Sequence, residues 1–60
     1  MTKELLIRMI KSLMTLRKMG FSEQFIKLEM EECEHLSMKK LHRKYMVMYK
    51  RFCEKYPEYV

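Results

Sequence analysis

Apolar residues recur every three or four positions along nearly the whole chain, and the repeat breaks the sequence into three stretches. In the first, Leu6, Met9, Leu13 and Leu16 fall at +3, +4, +3 spacing, which places them on one face of a helix. Leu5, Ile7, Ile10 and Met14 widen that face. Only a strip made of Glu4, Arg8, Lys11, Ser12, Thr15 and Lys18 stays polar. The second stretch has Ile26, Met30 and Cys33 as its inner row, with Phe25, Leu28 and Leu36 beside it. The third carries Leu41, Tyr45, Met48 and Phe52, with Met46, Tyr49, Cys53 and Tyr56 on the adjoining face.

Punctuation between these stretches sets the expected boundaries. A first helix over about 2–19 has Thr2 as its N-cap. Gly20, the only glycine, can take the left-handed conformation that ends a helix at no steric cost. Ser22 then caps a second helix over about 22–36, and Glu23 adds negative charge to its first turn. Phe21 and Ile26 stand at the positions of a hydrophobic staple around that cap. Ser37 can cap a third helix over about 38–55, closed by Pro57. No glycine or proline lies between Leu36 and Met38, so the alternative is one continuous helix from 23 to 55, roughly 50 Å long and paired with a second copy. Residues 1–60 therefore read as a single small helical domain. The expected fold is all-α: an antiparallel helical hairpin extended by a third helix, or a hairpin with one long second helix.

A helix as apolar as the first must be covered on more than one side. A third helix, a second protomer or another protein has to supply what one neighbour cannot. The need is sharper because 60 residues bury only about 60% of the surface that the unfolded chain exposes.

Composition agrees with helices. All eight acidic residues are glutamate, and the chain has neither aspartate nor asparagine, the usual turn formers. No apolar run approaches the ~20 residues of a membrane span. Two cysteines are too few for a disulfide framework, so a reducing, cytoplasmic setting is expected. The net charge of +5 is concentrated: residues 1–36 balance six cations against six glutamates, whereas residues 37–60 carry seven Lys/Arg against Glu54 and Glu58.

Candidate chemistry is sparse. Cys33, His35, His42 and Cys53 lack the spacing of a zinc finger, ribbon or knuckle, so neither a metal nor any other cofactor is expected. There is no glycine-rich phosphate loop, no nucleophile elbow and no aspartate to orient a histidine, which argues against an enzyme. The cations Lys39, Lys40, Arg43, Lys44, Lys50 and Arg51, interleaved with tyrosines, could contact nucleic-acid phosphates or simply form a solvated helix face. A helix-turn-helix built on the Gly20 turn fails on charge, since its second helix would bring five glutamates and one lysine to the groove. Phe21 and Phe25 bracket the turn four residues apart. They either close the core beneath it or project as interface anchors.

Ile10, Ser12, Met19, Phe25, Ile26, Leu28, Glu32 and Ser37 resemble, without a gap, the residue types of the small sporulation inhibitors of the Sda family. The opening Glu4-Leu5-Leu6-Ile7 is similar to that family's opening motif, offset by three residues. Phe21 stands where the family has leucine, Cys33 where it has isoleucine, and residues 39–60 have no counterpart. The resemblance implies a helical hairpin that docks on the dimerisation and phosphotransfer helices of a sensor histidine kinase and blocks phosphoryl flow. By position it implies kinase contact through Phe21 and Phe25, and Met19 and Leu28 beside them complete the candidate partner-binding set. The expectation is thus a protein-binding regulator. A small basic nucleic-acid-binding or phage-type regulatory protein acting through residues 39–51 and a homo-oligomer held by the tyrosine–methionine stripe are the alternatives.

Overall fold

A computed structural model describes residues Thr2–Tyr59. Three α-helices follow in order: α1 over Lys3–Met14, α2 over Glu23–Cys33 and α3 over Met38–Lys55. Short 3-10 turns occupy Arg17–Met19 and Pro57–Tyr59. All three α-helices begin at a hydroxyl cap. Thr2, Ser22 and Ser37 accept from the backbone N–H of Leu5, Phe25 and Lys40 at 3.2, 3.1 and 3.3 Å, each satisfying one otherwise free donor. The chain thus breaks at Ser37 although no helix breaker stands there.

Gly20 holds φ +78°, ψ 17° and is the only described residue with positive φ. Its Cα faces open space, so backbone conformation rather than crowding calls for glycine there.

The expected first helix, 2–19, is too long. It stops at Met14, and Leu16 is already extended at φ −65°, ψ 138°. Local back-bonding and a tertiary partner coincide at this end. Ser12 and Thr15 hydroxyls donate back to the carbonyls of Arg8 and Ser12, at 3.0 and 2.9 Å, in competition with the helix. Beyond the break, the Lys18 N–H donates to the Tyr56 hydroxyl at 2.9 Å, a partner from the far end of the chain. Helix α2 is shorter than expected as well. After Cys33 the Glu34–Leu36 segment turns, with His35 and Leu36 N–H groups bonded to Glu32 and Cys33 carbonyls.

The core draws on all three helices: Leu6, Ile10 and Met14 from α1, Ile26 and Cys33 from α2, and Leu41 from α3. Of the α1 apolar face, the row at +4 spacing is the one fully enclosed. Helix α1 runs antiparallel to α2, since the Lys3 ammonium reaches the Glu34 carbonyl at 2.6 Å. Its most extensive contact, however, is with α3, which runs alongside in the same direction and brings Tyr56 to Lys18. Two flanking helices cover α1, as its apolar circumference requires. The Cα envelope is flat, 32 × 24 × 14 Å.

Leu41 is fully enclosed and is the one α3 residue in the central cluster. Leu41→Ala should cost about 2–5 kcal/mol, most of the ~3–5 kcal/mol a core of this size supplies. A thermal melt followed by circular dichroism should show it largely unfolded at 25 °C. A shift below about 1 kcal/mol would mean that α3 does not complete the core.

Candidate functional site: two exposed apolar surfaces

Two surfaces stand out because large apolar groups reach solvent there. The first belongs to α2. Its first turn presents Phe25, 43% exposed, and Leu28, one turn on, is 63% exposed. Phe25 stacks on Phe21 with ring centroids 5.4 Å apart and planes 14° from parallel. Phe21 itself is packed against the core, so one member of the pair anchors the other. The Arg51 guanidinium lies 5.4 Å from the Phe21 centroid, tying this corner to the second half of α3. Val47, one turn from both Arg51 and Lys44, is 57% exposed and extends the apolar strip onto α3.

The sequence reading grouped Met19 with these residues, but Met19 is only 4% exposed. It supports the bend from inside and is not available at the surface.

The second surface is a groove of about 510 Å³ between α1 and the last third of the chain. Met9, Ser12 and Leu13 of α1, with Leu16 just beyond its end, form one side. Tyr45, Tyr49, Phe52, Tyr56 and Tyr59 form the other. Successive rings lie 5.9, 6.0 and 5.3 Å apart from Tyr45 through Tyr49 and Phe52 to Tyr56, and Tyr59 closes the row 6.1 Å from both Phe52 and Tyr56. Lys18 guards one end, with its ammonium 5.0 Å from the Tyr56 centroid and 3.8 Å from Glu58. The helical period of α3 disclosed this row as an apolar stripe. What it could not disclose is that the early end of α1 leaves Met9, Leu13 and Leu16 facing the row.

The six candidate cations on α3 do not act as a unit. Lys39, Lys40, Arg43 and Lys50 are exposed, as is Arg51 against Phe21. Lys44 turns inward and pairs with Glu29 of α2, both side chains about one-fifth exposed. Burial opposes charge on Lys44, but the hydrogen bond and charge of Glu29 outweigh it and lift its pKa above the ordinary 10.5. Lys44 is therefore a structural tie between α2 and α3 and not a free phosphate contact. Cys33, wholly enclosed near this pair, has its thiol pKa pushed up by burial. Among the described residues no three of His, Cys, Asp or Glu come together as a metal site, and no helix is long and apolar enough to cross a membrane.

Because the folded pKa of Lys44 is raised, its stabilisation is complete below 10.5 and fades as pH climbs through the higher folded value. Lys44→Met, which strands the Glu29 carboxylate, should cost about 1–3 kcal/mol near neutrality. In urea titrations the gap between wild type and variant should be flat from about pH 7 to 9 and narrow above the ordinary lysine range. A gap that is absent at neutral pH would remove the pair from the list of stabilising contacts. Comparison with protein-family models found no match, and comparisons with curated proteins and with solved structures found no significant one.

Proposed function

We propose that this chain is a small regulator that works by docking on another protein through the Phe25–Leu28 face of α2, and that its partner is the helical dimerisation and phosphotransfer domain of a sensor histidine kinase. The observation that carries the protein-binding part is the exposure of Phe25 and Leu28 one turn apart, backed by a core-anchored ring at Phe21. An apolar pair on one helix face, held by a rigid support and rimmed by charges such as Glu32 and Arg51, fits recognition of a helix groove. The extent of exposed surface supports the same reading. The chain presents 4843 Å² to solvent, whereas a compact monomer of 7.5 kDa would present about 4,250 Å².

The kinase part rests on the resemblance of residues 4–38 to the Sda family, in which Phe25 and Leu28 fall at matching positions. A docking inhibitor needs no chemistry of its own. It must only occupy the surface along which the phosphoryl group passes, and it would act in the cytoplasm where such kinases keep these helices.

Calorimetry against a kinase dimerisation domain from the same host tests both parts. Phe25→Ala and Leu28→Ala should each weaken binding about 30-fold or more, the effect of losing an interface hot spot. Circular dichroism should change little, because both side chains are largely outside the core. Unchanged affinity in both variants would refute the face, and absence of binding by the wild type would refute the kinase.

A further inference from the structure

The α1–α3 groove lies apart from the α2 face and has a chemistry of its own. All four tyrosines of the chain line it, together with Phe52. None of its lining side chains is charged, in a chain of which 35% of residues are charged. The charge stands beside it. Lys39, Arg43, Met46 and Lys50 form a row on α3 at +4, +3, +4 spacing, running alongside the ring row Tyr45–Tyr49–Phe52–Tyr56 and roughly 100° further round the helix. All four are exposed. The acids of the segment, Glu54 and Glu58, are fewer, and Glu58 is engaged by Lys18.

We infer that this groove binds single-stranded nucleic acid, with bases turned onto the tyrosine rings and the phosphate backbone tracking the cation row. A ring row and a cation row on the same helix match the two halves of a nucleotide, one flat and apolar, the other anionic. Ring stacking tolerates any base, so the groove is general in sequence. A duplex is excluded from it, because paired bases cannot offer their faces. The excess positive charge of the chain lies in residues 37–60, and its exposed members Lys39, Arg43 and Lys50 flank the rings, which is the charge complementarity a polyanion requires. A proline-rich or apolar peptide would also suit aromatic walls, but it would have no use for the flanking cations.

The four tyrosines supply a direct readout, since the chain has no tryptophan and their emission reports the groove alone. Titration of the full chain with 20-nucleotide oligo-dT and oligo-rU at about 50 mM salt should quench that emission, with dissociation constants tighter than about 100 µM. A 20-base-pair duplex should bind more weakly. The two single strands separate DNA from RNA as the source, through the 2′-hydroxyl. Tyr49→Leu, which keeps an apolar side chain on a half-exposed site, should weaken binding about tenfold, while Tyr49→Phe should leave it within about twofold. Arg43→Gln and Lys50→Gln should each flatten the salt dependence by about 0.7 in log–log slope, the value for one single-strand phosphate. Phe25→Ala should change none of this, which keeps the result independent of the α2 face. No quenching by either strand at low salt, or equal binding by Tyr49→Leu, would overturn the inference, as would tighter binding of a proline-rich peptide than of either strand.

Discussion

Burial of α1 is the constraint on which the rest of the structure depends. The helix is apolar round most of its circumference, and α2 alone offers it only Ile26 and Cys33 as deeply buried partners. The third helix must therefore lie along the other side and contribute Leu41. The Ser37 cap makes this possible by turning the chain where no proline or glycine does. A hydroxyl that accepts one backbone N–H thus selects between a folded-back domain and a long rod, because helix formation alone would favour continuing through residue 37.

Much of this was legible in the sequence. The glycine-plus-serine turn at 20–22, the cap at Ser37 and the limits of α3 follow from single residues with well-defined backbone preferences, and the inner rows of α2 and α3 follow from the 3.6-residue period. The end of α1 was not legible. Leu16, Arg17, Lys18 and Met19 are all good helix formers, and nothing local forbids helix through Met19. The Ser12 and Thr15 back-bonds only weaken the helix locally, and past the break the Lys18 N–H is received by Tyr56, 38 positions away. A one-dimensional pattern cannot carry a tertiary partner of that kind.

The same limit applied to the candidate sites. Phe25 could be singled out from its place beside the capped turn, but the pattern left open whether it closes the core or projects, and its 43% exposure is legible only in the fold. Met19 could not be sorted from Phe25, since its burial depends on the short 3-10 turn that follows the early end of α1. Lys44 looked like one cation among six until Glu29 was found opposite it. Side chains with equal propensities are told apart only by the neighbour each one meets.

The side-by-side course of α1 and α3 has a kinetic consequence. Most of the contact between elements joins segments separated by a whole intervening helix, α1 with α3. A local α1–α2 hairpin closes first and cheaply but leaves the richer side of α1 bare. The late event is the arrival of α3, and it closes the longest loop in the molecule. The chain should therefore reach its native state in one cooperative step, with the hairpin alone too thinly packed to persist as an intermediate.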